Sequence, residues 1–288
     1  MFLHQFILIK RYNMKKHIII LLLFTTTVNA QLQIPSLSPG SKIEQIIGLT
    51  EVVLEYSRPS VKGRVVFGDN GLLPNDLPWR TGANKATKIS FSKPIIVGEE
   101  RLEKGNYTIL TVPKDKKWEI RWYKYTSTNW NTYKEKTPSF TIEVPSIKSS
   151  KLVETLVIQF ENITMNSANL VIEWEYRKVK IPLKVDESKE ILKSIDRKLK
   201  GPSDFDYFNA ALYLHEAKID LEKALQYIQK VTESDKALFF QVTREALILK
   251  DLNRYREAKK VANRGLELSI KAKNNDFIKL NKKMIEEL

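Results

Sequence analysis

Between Lys42 and Val185 the chain alternates apolar and polar residues with a period of two. Val52, Leu54 and Tyr56 fall on one face. So do Tyr107, Ile109 and Thr111; Ile120 and Trp122; Phe140, Ile142 and Val144; Leu156, Ile158 and Phe160; Leu170, Ile172 and Trp174; and Val179, Ile181 and Leu183. Alternation of this kind turns one face of a segment to a core and the other to water, as in a half-buried strand. Turn-forming residues divide the runs, among them Gly98-Glu99-Glu100, Lys114-Asp115-Lys116 and Asn166-Ser167. About ten short strands with no helical run between them predict an all-β antiparallel sandwich or a partly open barrel.

After Val185 the period lengthens. Ile191, Ile195 and Leu199 recur every four residues; Asp186 is placed to cap that helix and Gly201-Pro202 to stop it. Two more helical runs, Phe208 to His215 and Val242 to Leu249, precede Ala224 and Ala258, which lie 34 residues apart. That is the period of a helix-turn-helix repeat with a small residue where its helices cross, so the tail resembles two tetratricopeptide-like pairs and a capping helix ending at Leu288. On this period Leu212 takes the small position that Ala246 holds in the second pair. The whole reads as α+β, with a leader at 1–30, a sandwich domain at 31–185 and a helical domain at 186–288.

The leader is an export signal in outline. Lys10, Arg11, Lys15 and Lys16 precede the apolar run Ile18 to Phe24, and Val28-Asn29-Ala30 places small residues before Gln31. Met14 heads this pattern and is an alternative start to Met1. The apolar run is far shorter than the roughly 20 residues a membrane span needs. The expected mature chain therefore starts at Gln31, has no transmembrane segment and works outside the cytoplasm, in the periplasm or beyond.

Composition narrows the chemistry. The chain has no cysteine and three histidines, and His4 and His17 leave with the leader, so only His215 remains. Ser-His-Asp and Cys-His catalysis need an imidazole beside the nucleophile, and transition-metal sites draw on two or more His or Cys ligands. No catalytic triad, metal or cofactor is predicted. A carboxylate-dependent carbohydrate-active hydrolase survives as the alternative to a binding module, with Asp69, Asp76 and Glu55 near one loop. The net charge of +14 falls to +10 without the leader's four basic residues and is spread over both domains. With no recognition motif, nucleic acid is not an expected partner; a protein partner, a glycan or another anionic ligand is.

The candidate site lies in Tyr56 to Asn84. A strand ends at Arg58-Pro59, and Asp69-Asn70-Gly71, Pro74 and Pro78 make a loop. Arg58, Arg64 and Arg80 offer planar forks for carboxylate or phosphate, Asn84 an orienting amide and Trp79 an apolar wall. The competing reading is that the arginines satisfy loop carbonyls that the prolines leave without donors. Of the five tryptophans, Trp122 and Trp174 share parity with core positions and Trp118 begins a strand. Trp79 and Trp130 stand in loop-like segments, where an indole either is exposed to stack on a sugar or ligand ring or plugs an end of the sandwich.

The strings Tyr56-Ser57-Arg58-Pro59, Lys62-Gly63-Arg64, Phe67-Gly68, Trp79-Arg80-Thr81-Gly82-Ala83-Asn84 and Lys104-Gly105-Asn106-Tyr107-Thr108-Ile109-Leu110-Thr111-Val112-Pro113 resemble an exported bacterial family, domain of unknown function 2911, over roughly residues 36–185. The resemblance implies a domain boundary and export, and no assigned activity. Two departures stand out: Asn75-Asp76-Leu77-Pro78 replaces a common Tyr-Gly pair before Trp79, and Asn131 replaces a common glycine after Trp130.

Overall fold

The computed structural model describes residues 34–199 and 201–288. The expected leader and cleavage site, with His4, His17 and the choice of start, lie outside the described residues. All regular elements described below belong to the unit Gly40–Leu288.

The described residues form ten strands: β1 (Gly40–Ile47), β2 (Thr50–Ser57), β3 (Lys88–Phe91), β4 (Ile95–Val97), β5 (Glu100–Leu102), β6 (Gly105–Val112), β7 (Lys117–Lys124), β8 (Phe140–Pro145), β9 (Ile147–Glu161) and β10 (Ser167–Lys184). They build a six-stranded sheet in the order β1-β2-β3-β6-β7-β8 and a four-stranded sheet in the order β5-β4-β10-β9. All pairings are antiparallel and neither sheet closes into a barrel. Val52, Leu54, Ile89, Ile109 and Ile120 of the first sheet share one buried cluster with Leu156, Ile158, Ile172, Trp174 and Ile181 of the second. At about 1.5–3 kcal/mol for each fully buried large aliphatic side chain, that shared core is what joins the sheets.

The strands are not uniformly short. The runs that end at Trp174 and begin at Val179 belong to one 18-residue strand, β10. Its core parity changes from even at Leu170, Ile172 and Trp174 to odd at Val179, Ile181 and Leu183, and the ladder to β9 slips on both sides of Glu175. From Glu173 to Arg177 the partner strand runs from Val157 to Lys148, so the extra residues of this irregularity lie on β9; Glu175 sits opposite them at φ 53°, where the break in alternation returns the apolar face of β10 to the core. The bend also aims its carboxylate at the loop, where Oε1 accepts from Val66 N at 3.0 Å and Oε2 from Phe67 N at 3.4 Å.

Six helices follow among the described residues: α1 (Ser188–Lys198), α2 (Asp204–Glu216), α3 (Leu221–Thr232), α4 (Phe239–Asp251), α5 (Tyr255–Lys271) and α6 (Asn275–Glu287). The helix expected to be capped by Asp186 begins one residue later, with Glu187 at the cap and its side chain turned elsewhere. Glu187 Oε2 accepts from Leu49 N at 2.6 Å and Oε1 from the Thr50 hydroxyl at 2.9 Å. Lys93 Nζ lies 3.7 Å from the same carboxylate and 3.0 Å from Glu190. The β1–β2 turn sits directly on this group: Gly48 is at φ 61°, and a Cβ there would be 2.4 Å from Glu187 Oε2.

Short loops pair α2 with α3 and α4 with α5, as a helical repeat requires. Ala224 and Ala258 are fully buried. The first helices of the pairs start 35 residues apart, at Asp204 and Phe239, and the second helices 34 apart, at Leu221 and Tyr255. The extra residue moves the small position of the first pair from Leu212 to Ala211, which is fully buried like Ala246. Leu212 instead faces a groove. Arg264 of α5 ties the pairs together, donating to Thr232 O at 2.6 Å and Ser234 O at 3.0 Å beyond the end of α3.

Candidate functional site

The loop from Ser57 to Asn84 spans one end of the sandwich. Tyr56 leaves the six-stranded sheet with its hydroxyl accepting from Ile158 N at 2.9 Å. The chain then runs beside β9: Leu156 N donates to Pro59 O at 2.9 Å and Val61 N to Glu154 O at 2.7 Å. It returns at Trp79, whose N–H and C=O pair with Thr111 of β6 at 2.7 and 2.9 Å. The loop thus runs along the edge strand β9 of one sheet and then, at Trp79, pairs with the stretch of β6 beyond the end of β3 in the other.

The structure sorts the five candidate residues into three environments. Arg58 Nε donates to Leu156 O at 2.9 Å, tying the crossing segment to β9, and Arg64 donates to Val61 O at 2.9 Å and Ser60 O at 2.7 Å, fastening that segment's own carbonyls. Trp79 is buried in the core, stacked on Trp174 with ring centres 5.6 Å apart and edge-on to Trp118 at 6.3 Å. Arg80 and Asn84 remain together at the surface, where Arg80 Nη1 donates to Asn84 O at 3.1 Å. Arg80 also lies over the ring of half-buried Trp130 at 5.1 Å, and Lys134 lies over the same ring at 4.0 Å. The sequence did not connect Lys134 or Trp130 with Arg80, because they come from a loop some 50 residues on.

The spacing of Trp79-Arg80-Thr81-Gly82-Ala83-Asn84 has a structural reason at each marked position. The Trp79 indole N–H donates to Gly82 O at 2.9 Å, whereas those of Trp122 and Trp174 have no acceptor among the described residues. A Cβ on Gly82 would come within 3.0 Å of Thr87 Oγ1 and 3.1 Å of Ser57 O. Thr81 is buried at φ 55°, a costly conformation for a β-branched residue. Its hydroxyl holds it there, with Thr111 Oγ1 at 3.2 Å and Ile109 O at 3.3 Å, and Thr87 Oγ1 donates to its carbonyl at 2.7 Å.

The carboxylates that could serve a hydrolase each have another neighbour. Asp69 accepts from Asn75 Nδ2 at 3.0 Å, Lys114 lies 3.5 Å from Asp76, and Lys88 lies 3.2 Å from Glu55. Among the described residues no three His, Cys, Asp or Glu side chains gather as metal ligands would. His215, buried at the end of α2, has Asp251 Oδ2 at 3.0 Å from Nε2 and receives Arg244 Nη1 on Nδ1 at 2.9 Å. An acceptor Nδ1 means a neutral ring with its proton on Nε2. Burial pushes the imidazole below its ordinary range and Arg244 adds to this, against the opposing pull of Asp251.

The helical tail has a surface of its own. A groove of about 370 Å³ runs across α2, α4 and α6 and is lined by Phe208 and Leu212, Phe239, Phe240 and Leu247, and Phe277 and Leu280. Its rings form a continuous row: Phe208 to Phe240 at 5.2 Å, Phe240 to Phe239 at 5.5 Å and Phe239 to Phe277 at 4.9 Å, all edge-on. All four are half-buried. No described helix is long and apolar enough to cross a membrane.

These features define a class: an antiparallel two-sheet domain with a helical tail. A family model described as "Protein of unknown function (DUF2911)" matches residues 38–183, just over half of the 288-residue chain, and the protein belongs to that family. No curated protein and no solved structure matches it.

Proposed function

We propose that the protein is an exported interaction module that uses the groove across α2, α4 and α6 to hold an apolar-anchored peptide segment of a partner protein. The observation that carries this reading is the row of Phe208, Phe240, Phe239 and Phe277, half-buried along one groove. Aromatic side chains left partly in water are costly to keep there and supply much of the energy when a partner covers them. The rest of the lining is Thr243, whose hydroxyl donates to Phe239 O, and Arg244; shape and apolar area dominate, which suit binding a few large side chains of a peptide. Supporting export is the leader pattern of residues 10–30.

The test is selection of peptides from a display library on the mature protein, followed by calorimetry. Peptides with spaced large apolar residues should be enriched, and Leu280→Glu at the exposed rim should weaken them about tenfold or more while leaving the thermal melt in place. No enrichment, or peptides indifferent to Leu280→Glu, would sink the reading.

A further inference from the structure

We propose that the face carrying Arg80, Trp130 and Lys134 is a binding site for an acidic saccharide, a sugar chain bearing carboxylate or sulfate groups. The site is separate from the helical groove and does not depend on it.

The first argument is charge. Most cations near this face are already paired: Lys88 with Glu55, Lys114 with Asp76 and Glu119, and Arg121 with Glu119. Arg80, Lys85, Lys134 and Lys136 join no ion pair among the described residues, and Glu135 is the one acid within their own segments. Four uncompensated cations on two adjoining loops make a local positive field that attracts anions.

The second argument is preorganisation. The Trp130 ring holds Arg80 and Lys134, and the Tyr133 ring has Lys136 over it at 5.5 Å. The platform is itself fixed. Tyr133 is fully buried; its hydroxyl accepts from Thr126 N and Ser127 N at 2.9 and 2.7 Å and donates to Ser127 O at 2.8 Å. Ala86 N donates to Thr128 O at 2.8 Å, locking the loop of Arg80 to the loop of Trp130. Cations resting on aromatic rings have lost much of their rotamer freedom before any ligand arrives, which lowers the cost of binding.

The third argument separates a saccharide from other polyanions. The loop reads Thr126-Ser127-Thr128-Asn129-Trp130-Asn131-Thr132, and exposed Thr128 and Asn131 have side chains with no hydrogen bond among the described residues. Neutral hydroxyl and amide groups beside cations match a polymer that carries hydroxyls between its charges. A nucleobase would need the indole as a stacking surface, but this ring already serves as the support for two cations. A lipid surface would call for exposed apolar residues among the basic ones, and the tip of this loop is polar.

The mature protein should be titrated with polygalacturonate and with heparin, which separate the carboxylate and sulfate cases. Uncharged dextran, duplex DNA and anionic phosphatidylglycerol vesicles are the controls. The expected result is binding to at least one acidic saccharide, weakening with added salt, absent for dextran, and tighter than for DNA or vesicles. Lys134→Glu, at an exposed position, should keep the wild-type melt and weaken saccharide binding about tenfold, the cost of one charge-assisted contact. Failure of both saccharides to bind, binding indifferent to Lys134→Glu, or equal or tighter binding of DNA or vesicles would each overturn the proposal.

Discussion

Replacing Glu187 with alanine removes a carboxylate that serves two donors of the β1–β2 turn, Leu49 N at 2.6 Å and the Thr50 hydroxyl at 2.9 Å. Thr50 is fully buried, so its hydroxyl loses a partner away from water. Hydrogen bonds to a charged group are worth about 1.5–3 kcal/mol each. Water entering the space left by the side chain restores part of that, since the turn lies at the surface with Leu49 52% exposed. The net loss should be about 3 kcal/mol, and at roughly 2–4 °C per kcal/mol the melting temperature should fall by roughly 6–12 °C. Gly48→Ala should also destabilise, because its Cβ would meet Glu187 Oε2 at 2.4 Å and Val185 Cγ2 at 2.7 Å in a backbone region alanine disfavours. In the double variant the first clash is gone, so the two losses should add to less than their sum. Thermal melts of the four proteins, with hydrogen exchange at Leu49 and Thr50, read this directly. An unchanged melt for Glu187→Ala, or strictly additive losses, would refute the idea that the turn is seated on this carboxylate. The same contact bears on the division of the chain: a fragment of residues 31–185 should fold with β-type circular dichroism yet melt below one that extends through Lys198.

Three further outcomes are expected. Arg80→Ala should lower the melting temperature by only a few degrees, because Arg80 holds one exposed carbonyl and one ring contact, together about 1 kcal/mol, rather than several buried acceptors; a fall beyond 10 °C would show that it fastens more of the loop than these contacts describe. His215 has its proton affinity lowered in the fold, so the unfolded chain takes up a proton first as pH drops through the ordinary value near 6.5. Its contribution is therefore present above that pH and is lost on acidification. Melts from pH 8 to pH 5 should fall more steeply for wild type than for His215→Gln, and parallel slopes would refute it. N-terminal sequencing of protein secreted by the native host should begin at Gln31, whereas an intact Met14 start in the membrane fraction would contradict cleavage after Ala30.

Period-two alternation was enough to indicate the antiparallel sandwich, because burying one face of each strand leaves its mark at every second residue. The tail was legible in the same way from its 34-residue spacing. What the pattern does not carry is local. The parity of core residues changes from even to odd between Trp174 and Val179, but the turn of Glu175 toward Val66 depends on a loop more than 100 residues earlier. The extra residue between the helix pairs could not be placed from the alanines alone, since Ala210 and Ala211 both precede Leu212. For the candidate site, residue type was informative and location was not. Three arginines in one loop look equivalent in sequence, yet one faces a carbonyl of β9, one the carbonyls of its own segment and one an indole from another loop. For Trp79 a loop setting allows an exposed indole or a plug at the end of the sandwich, and its N–H closing on Gly82 three residues later goes with the buried one.

That buried indole has a spectroscopic consequence. Trp79 is joined through its backbone to β6 of one sheet and through its ring to Trp174 on β10 of the other, the two rings nearly parallel at 24°. Two indoles this close couple their electronic transitions, and the pair should give a signed doublet in circular dichroism that exists only while the sheets are together. All five tryptophans lie between positions 79 and 174 and none is in the helices. Indole signals therefore report the sandwich alone and the far-ultraviolet helical signal reports the tail, so one unlabelled sample can be watched separating into its two halves as it is heated.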